Sequence, residues 1–195
     1  MAVPANAPPG LSPHLPGEPG IWVFVLGDML IFASLFIVFV YYRGQDVALY
    51  AEAQRTLNQH YGALNTFLML TSSWFVALAI HAARAQRSKS CRQLFMLGML
   101  CGIGFVTVKF FEYQEKIRAG FMLTTNDFYM YYYMLTGLHL MHVLLGLGVL
   151  AYLRQVARAA SLSAQNFSVL ESGASFWHMV DMLWIVLFAL LYLLR

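Results

Sequence analysis

Ile21–Tyr42, IWVFVLGDMLIFASLFIVFVYY, is the stretch on which the fold turns. It contains one charged residue, Asp28, in 22 positions, and about 20 apolar residues are enough for a helix to cross the hydrocarbon of a bilayer. Runs of the same character recur at about residues 63–83, 93–111, 128–153 and 174–194. Composition agrees with them. Of 195 residues, 60% are hydrophobic and 11% charged, where a soluble domain carries about 25% charged residues; mean hydropathy is +0.63. Some 117 apolar residues supply roughly five crossings. Unpaired backbone groups in hydrocarbon cost several kcal/mol each, and the runs lack the alternation of barrel strands, so the spans must be helices. The sequence therefore predicts an all-α membrane bundle of five transmembrane helices over residues 21–195. A Pro-rich arm over residues 1–20 precedes it and holds all six prolines. No repeat and no second domain is visible.

Other totals remove further classes. A net charge of +3, scattered beside apolar runs, leaves no footprint for nucleic acid. Cys91 and Cys101 lie about 15 Å apart along a helix, beyond the ~7 Å that a disulfide spans, so both are expected to be free. The arm has no Lys or Arg and the first apolar run is too long for a signal peptide. With five spans, each face receives six basic residues; the dense turn Arg84, Arg87, Lys89 and Arg92 breaks the tie. By the positive-inside rule it places the N-terminus in the cytoplasm and the C-terminus outside.

Ionisable side chains inside a span cost about 2.5–3.5 kcal/mol on insertion scales, so each needs a reason. Asp28 lies in the first span, His139 and His142 near the middle of the fourth, and His178 and Asp181 early in the fifth. At 100° per residue, Glu171, His178 and Asp181 share one face, as do His139, His142 and Gly146. Both stripes should point into the bundle, with Gly98, Gly102, Gly137 and Gly146 making room for close helix approach. Spans one and five enter from the same side, which puts Asp28, His178 and Asp181 at similar depth. Three readings fit this layer: a structural hydrogen-bonded network, a metal or haem site, and a proton path through Asp28, His178 and Asp181. The remaining features have plainer readings. Phe128, Tyr129, Tyr131, Tyr132 and Tyr133 look like an interfacial aromatic belt, and Lys109, Glu112 and Lys116 like a solvated helix end.

Two motifs, TGLHLMHVLLG at 136–146 and ESGASFWHMVDMLWIVLF at 171–188, resemble the best-marked stretches of cytochrome c oxidase subunit III. KFFEY at 109–113 and LGDMLIF at 26–32 resemble two further ones, in the same order. The resemblance runs from about Pro16 to the C-terminus and implies a haem-copper oxidase subunit III fold that lacks the family's first two helices. It also implies a chain that binds no cofactor itself, with haem and copper in partner subunits. Such a chain packs on the catalytic haem-copper subunit, retains phospholipid and supports proton uptake in a bacterial inner membrane. Asp28 stands where the family usually has an intramembrane Glu; Glu112, His139, His142, Glu171, His178 and Asp181 match its polar positions, with Trp177 beside them. The opening PGEPGIWVFVLGDM at 16–29 is similar to the subunit III-like proteins associated with nitric oxide reductase. The resemblance thus leaves oxygen and nitric oxide open as the complex's substrate. Two rival readings are an independent haem- or metal-binding membrane protein using His139, His142 and His178, and a transient assembly factor.

Overall fold

Five of the six described α-helices begin where a residue suited to the first turn stands. A computed structural model describes residues 18–158 and 163–194. Helix α1 (Pro19–Gln45) starts on a proline, whose missing N–H costs nothing at that position. Asp46 caps α2 (Val47–Arg55), Asn58 caps α3 (Gln59–Arg84), Asn126 caps α5 (Asp127–Val156) and Ser163 caps α6 (Ala164–Phe188), each side-chain oxygen accepting a backbone N–H of the first turn. Helix α4 (Ser88–Arg118) ends at Gly120, which takes φ +85°. There Gly120 N donates to Ile117 O and Phe121 N to Lys116 O, the paired bonds of a Schellman stop.

Five of these helices, α1, α3, α4, α5 and α6, are long and apolar enough to cross a membrane. The chain is a multi-pass, all-α membrane protein. The first four spans each extend past their predicted limits, and the last begins at Ala164 rather than near residue 174. The polar segment 43–62 forms the end of α1, all of α2 and the start of α3. The Pro-rich arm lies outside the described residues up to position 17; Glu18 precedes α1, which already includes Pro19 and Gly20.

Trp177 of α6 is fully buried and is the centre of the packing. A Cβ on Gly146 of α5 would stand 2.7 Å from its indole, and one on Gly102 of α4 would stand 3.0 Å from it. Ser72 of α3 donates to the Gly98 carbonyl at 2.8 Å, so α3 and α4 approach backbone to side chain. Gly137 does not join this set: a Cβ there meets nothing within 4 Å, which corrects its expected packing role. Two unanticipated glycines do, Gly62 against Phe188 and Tyr192, and Gly173 against Leu153. After Phe188, α6 widens into a π-helical turn, Ala189–Leu193. Its loosened carbonyls are taken by side chains: Leu190 O by Gln54 Nε2 at 2.9 Å, and Tyr192 O by Gln59 Nε2 at 2.9 Å.

The glycine contacts give a paired test. Gly146→Ala should lower the thermal midpoint of the purified chain in detergent, by an overpacking cost of about 1–3 kcal/mol. Gly137→Ala should leave it unchanged, both read by circular dichroism.

Candidate functional site

The most deeply buried polar group is one that the sequence assigned to solvent. Lys109 and Glu112 are fully buried and Lys116 nearly so. Helix α4 continues to Arg118, so these residues extend the inward stripe Gly98, Gly102, Phe105 rather than ending a helix. Lys109 Nζ donates to Glu112 Oε2 at 3.0 Å, to Tyr192 Oη at 2.9 Å and to Tyr132 Oη at 3.2 Å. Tyr132 Oη donates to Glu112 Oε1 at 2.9 Å, and Tyr192 Oη donates to the same oxygen. All three ammonium protons are therefore used, and the opposite charges cancel. The cluster joins α4, α5 and the π-turn, which sets Tyr192 in reach. Lys116 Nζ donates to the Thr56 carbonyl beyond α2.

The aromatic belt is likewise turned inward. Phe128, Tyr129, Tyr131 and Tyr132 are buried, because α2 and the end of α1 cover them: Phe39 lies 6.0 Å from Tyr131 and Tyr50 lies 5.8 Å from Phe128, ring to ring.

Asp28 meets His142, with Oδ2 and Nε2 3.0 Å apart, close enough for an ion pair though not aligned as a straight hydrogen bond. His142 Nδ1 lies 2.8 Å from the Leu138 carbonyl, which only accepts, so Nδ1 carries a proton. Nε2, the other ring nitrogen, is the atom that faces Asp28. The expected grouping of Asp28 with His178 and Asp181 is replaced by this pair across α1 and α5.

His178 has its own partners: Nδ1 is 2.8 Å from Ser73 Oγ and 3.3 Å from Asp181 Oδ2. The shorter contact makes Ser73 of α3 its main partner. One face above, Arg84 Nη2 donates to Glu171 Oε1 at 2.9 Å; Glu171 is buried and Arg84 largely exposed. Arg84, Glu171 and His178 line an open cleft of about 270 Å³ with His81 and Ser175. Trp177 serves packing, between the glycines described above. His139 is corrected most sharply. It sits edge-on to Phe105 at 5.6 Å and against Trp184 at 5.4 Å, with no hydrogen bond to a carboxylate. His139, His142 and His178, gathered on one metal in the rival reading, have separate surroundings. Among the described residues, no group of three or more His, Cys, Asp or Glu is placed to hold a metal ion. Both cysteines are free thiols.

The family model for cytochrome c oxidase subunit III matches residues 17–195. The chain belongs to that family. It is 28% identical over 176 residues to cytochrome c oxidase subunit 3 of Thermostichus vulcanus, covering 90% of this chain and 86% of that one. It is 31% identical over 176 residues to the Synechocystis sp. protein of the same name, with 90% and 74% covered. Quinol oxidase subunit 3 of Bacillus subtilis is 27% identical over 179 residues, with 90% and 85% covered. In this member of the family, the four segments that marked the resemblance supply Asp28, Lys109–Glu112, His139–His142 and Glu171–Asp181, and each of the four reaches a partner on another helix.

Removing one half of the buried ion pair should be severe. Glu112→Leu leaves an uncompensated ammonium in the core, a loss of about 3–5 kcal/mol. The double variant Lys109→Met/Glu112→Leu should melt above Glu112→Leu alone, as measured by thermal denaturation in the same detergent.

Proposed function

We propose that this chain is a non-catalytic subunit III of an oxygen-reducing haem-copper oxidase in a bacterial inner membrane, with its N-terminus in the cytoplasm. It binds the catalytic subunit, which carries haem and copper, keeps phospholipid against the complex and supports its proton uptake. The named relatives are cytochrome c and quinol oxidase subunits, which favours an oxygen-reducing complex over nitric oxide reductase. The observation that carries the reading is the Asp28–His142 pair: a carboxyl and an imidazole 3.0 Å apart inside the membrane span, on two helices that border an apolar groove.

Two further features support it. Helix α1 is the least enclosed span, with 17% of its apolar window buried against 56% for the last, so it offers a long face to lipid or a neighbouring subunit. Between α1, α5 and α6 an apolar cleft of about 470 Å³ is lined by Ile21, Phe24, Leu145, Val149, Tyr152 and Phe176, a surface suited to acyl chains. In the proposed orientation Asp28, His178 and Asp181 all lie in the cytoplasmic half, the side from which such a complex draws protons. Glu171, Arg84 and His178 then form a polar mouth on that side.

Affinity purification in mild detergent should recover the chain with a haem-containing oxidase. Asp28→Ala should slow turnover of that complex several-fold or shorten its active lifetime, while Asp28→Glu retains both. Unchanged turnover and lifetime in Asp28→Ala would remove the proton-handling role; absence of the chain from the mature, active complex would make it an assembly factor.

A further inference from the structure

His139 on α5 and Asn65 on α3 are both fully buried, and none of their four polar side-chain atoms has a hydrogen-bond partner. Buried side-chain polar atoms in native proteins are almost always met by protein or by ordered water. The two residues lie at one level of the bundle. Ser72 bonds to Gly98 and Leu68 lies against Gly104, so the antiparallel register of α3 and α4 sets Asn65 beside the Phe105–Lys109 turn. The next residue, Thr66, accepts the indole N–H of Trp184 at 3.1 Å. That indole touches Phe105 at 4.7 Å and His139 at 5.4 Å, and Lys109 Nζ lies 5.3 Å above it.

We propose that His139 and Asn65 bind internal water between α3, α4, α5 and α6. The chemistry of the lining selects the ligand. An imidazole offers one donor and one acceptor when neutral, and an amide offers both kinds of group, so the occupant must donate and accept. An apolar occupant does neither. A cation is opposed by the Lys109 ammonium over the same indole. Water meets all four atoms and commonly takes about three hydrogen bonds in such sites. His139 lies one helical turn from His142 on the same face, and it shares Trp184 with Lys109. The inference is independent of the proposed function.

The test is a density map of the intact chain in nanodiscs, or in its complex, at a resolution that shows ordered solvent. Discrete solvent bonded to His139 and to Asn65 is the expected result. Ordered side chains with no solvent on them overturn the proposal. A variant series gives an independent reading. His139→Phe keeps a ring against Phe105 and Trp184 but holds no water, and it should lower the thermal midpoint; His139→Gln should recover part of the loss. A midpoint in His139→Phe equal to or above that of the unmodified chain overturns the proposal. If His139→Phe does not fold, the map of the unmodified chain decides.

Discussion

An ammonium and a carboxylate sealed inside a membrane bundle impose a condition on everything around them. Isolated charges there are costly, and the cost is offset only when geometry lets every proton and lone pair find a partner. Lys109 and Glu112 meet the condition through two tyrosine hydroxyls brought from different elements, Tyr132 on α5 and Tyr192 on the π-turn. A regular α-helix would carry Tyr192 round at the usual 100° per residue, whereas the π-turn alters that register. The backbone bonds which the turn loosens are then replaced by Gln54 and Gln59, so α2 and α3 hold the turn from outside. One ion pair thereby ties the last residues of the chain to the α2–α3 corner.

Close approach and polar satisfaction depend on each other here. Helices that share hydrocarbon with lipid gain little from burying apolar surface against one another, so they associate through small residues and hydrogen bonds. The Trp177 indole lies across Gly102 and Gly146 without Cβ atoms to hold it off. That separation sets how near α4, α5 and α6 come, and it is what allows Lys109 on one of them to reach Tyr132 on the next. The face of α1 turned away from the bundle lacks both devices and stays open, with Val23, Leu30 and Ile37 well exposed.

The number of spans and the inward direction of the polar stripes were legible in hydropathy and helical period. Which polar residues meet was not. Asp28 and His178 share a depth by counting, yet counting along one helix says nothing of the azimuth between helices, and Asp28 turns to His142 instead. Lys109, Glu112 and Lys116 were misread for a different reason. Charge near the end of an apolar run normally marks the interface, and that expectation outweighed a visible signal: 98, 102, 105, 109, 112 and 116 repeat at steps of four and three, one continuous inward face. The tyrosines at the start of α5 were misplaced because belts are built at bare helix ends, whereas this end is roofed by α2, whose propensity to fold was too weak a signal in nine residues. Gly137 shows the converse limit: a glycine beside a polar stripe need not lie at a contact.

The polar groups differ in how completely they are satisfied, and this difference separates scaffold from function. The Lys109–Glu112 cluster is closed: each donor has an acceptor, so no proton leaves without breaking the charge balance of the core. Asp28 and His142 approach to 3.0 Å without a straight hydrogen bond, Asp28 standing on the least enclosed helix. His178 divides Nδ1 between Ser73 and Asp181 and is over a third exposed at a cleft mouth. Proton exchange needs a group that is bound loosely enough to release and near enough to solvent or a partner to deliver. By that criterion the closed cluster sets the geometry, while the pairs at Asp28 and His178 are the ones able to take part in chemistry beyond the chain.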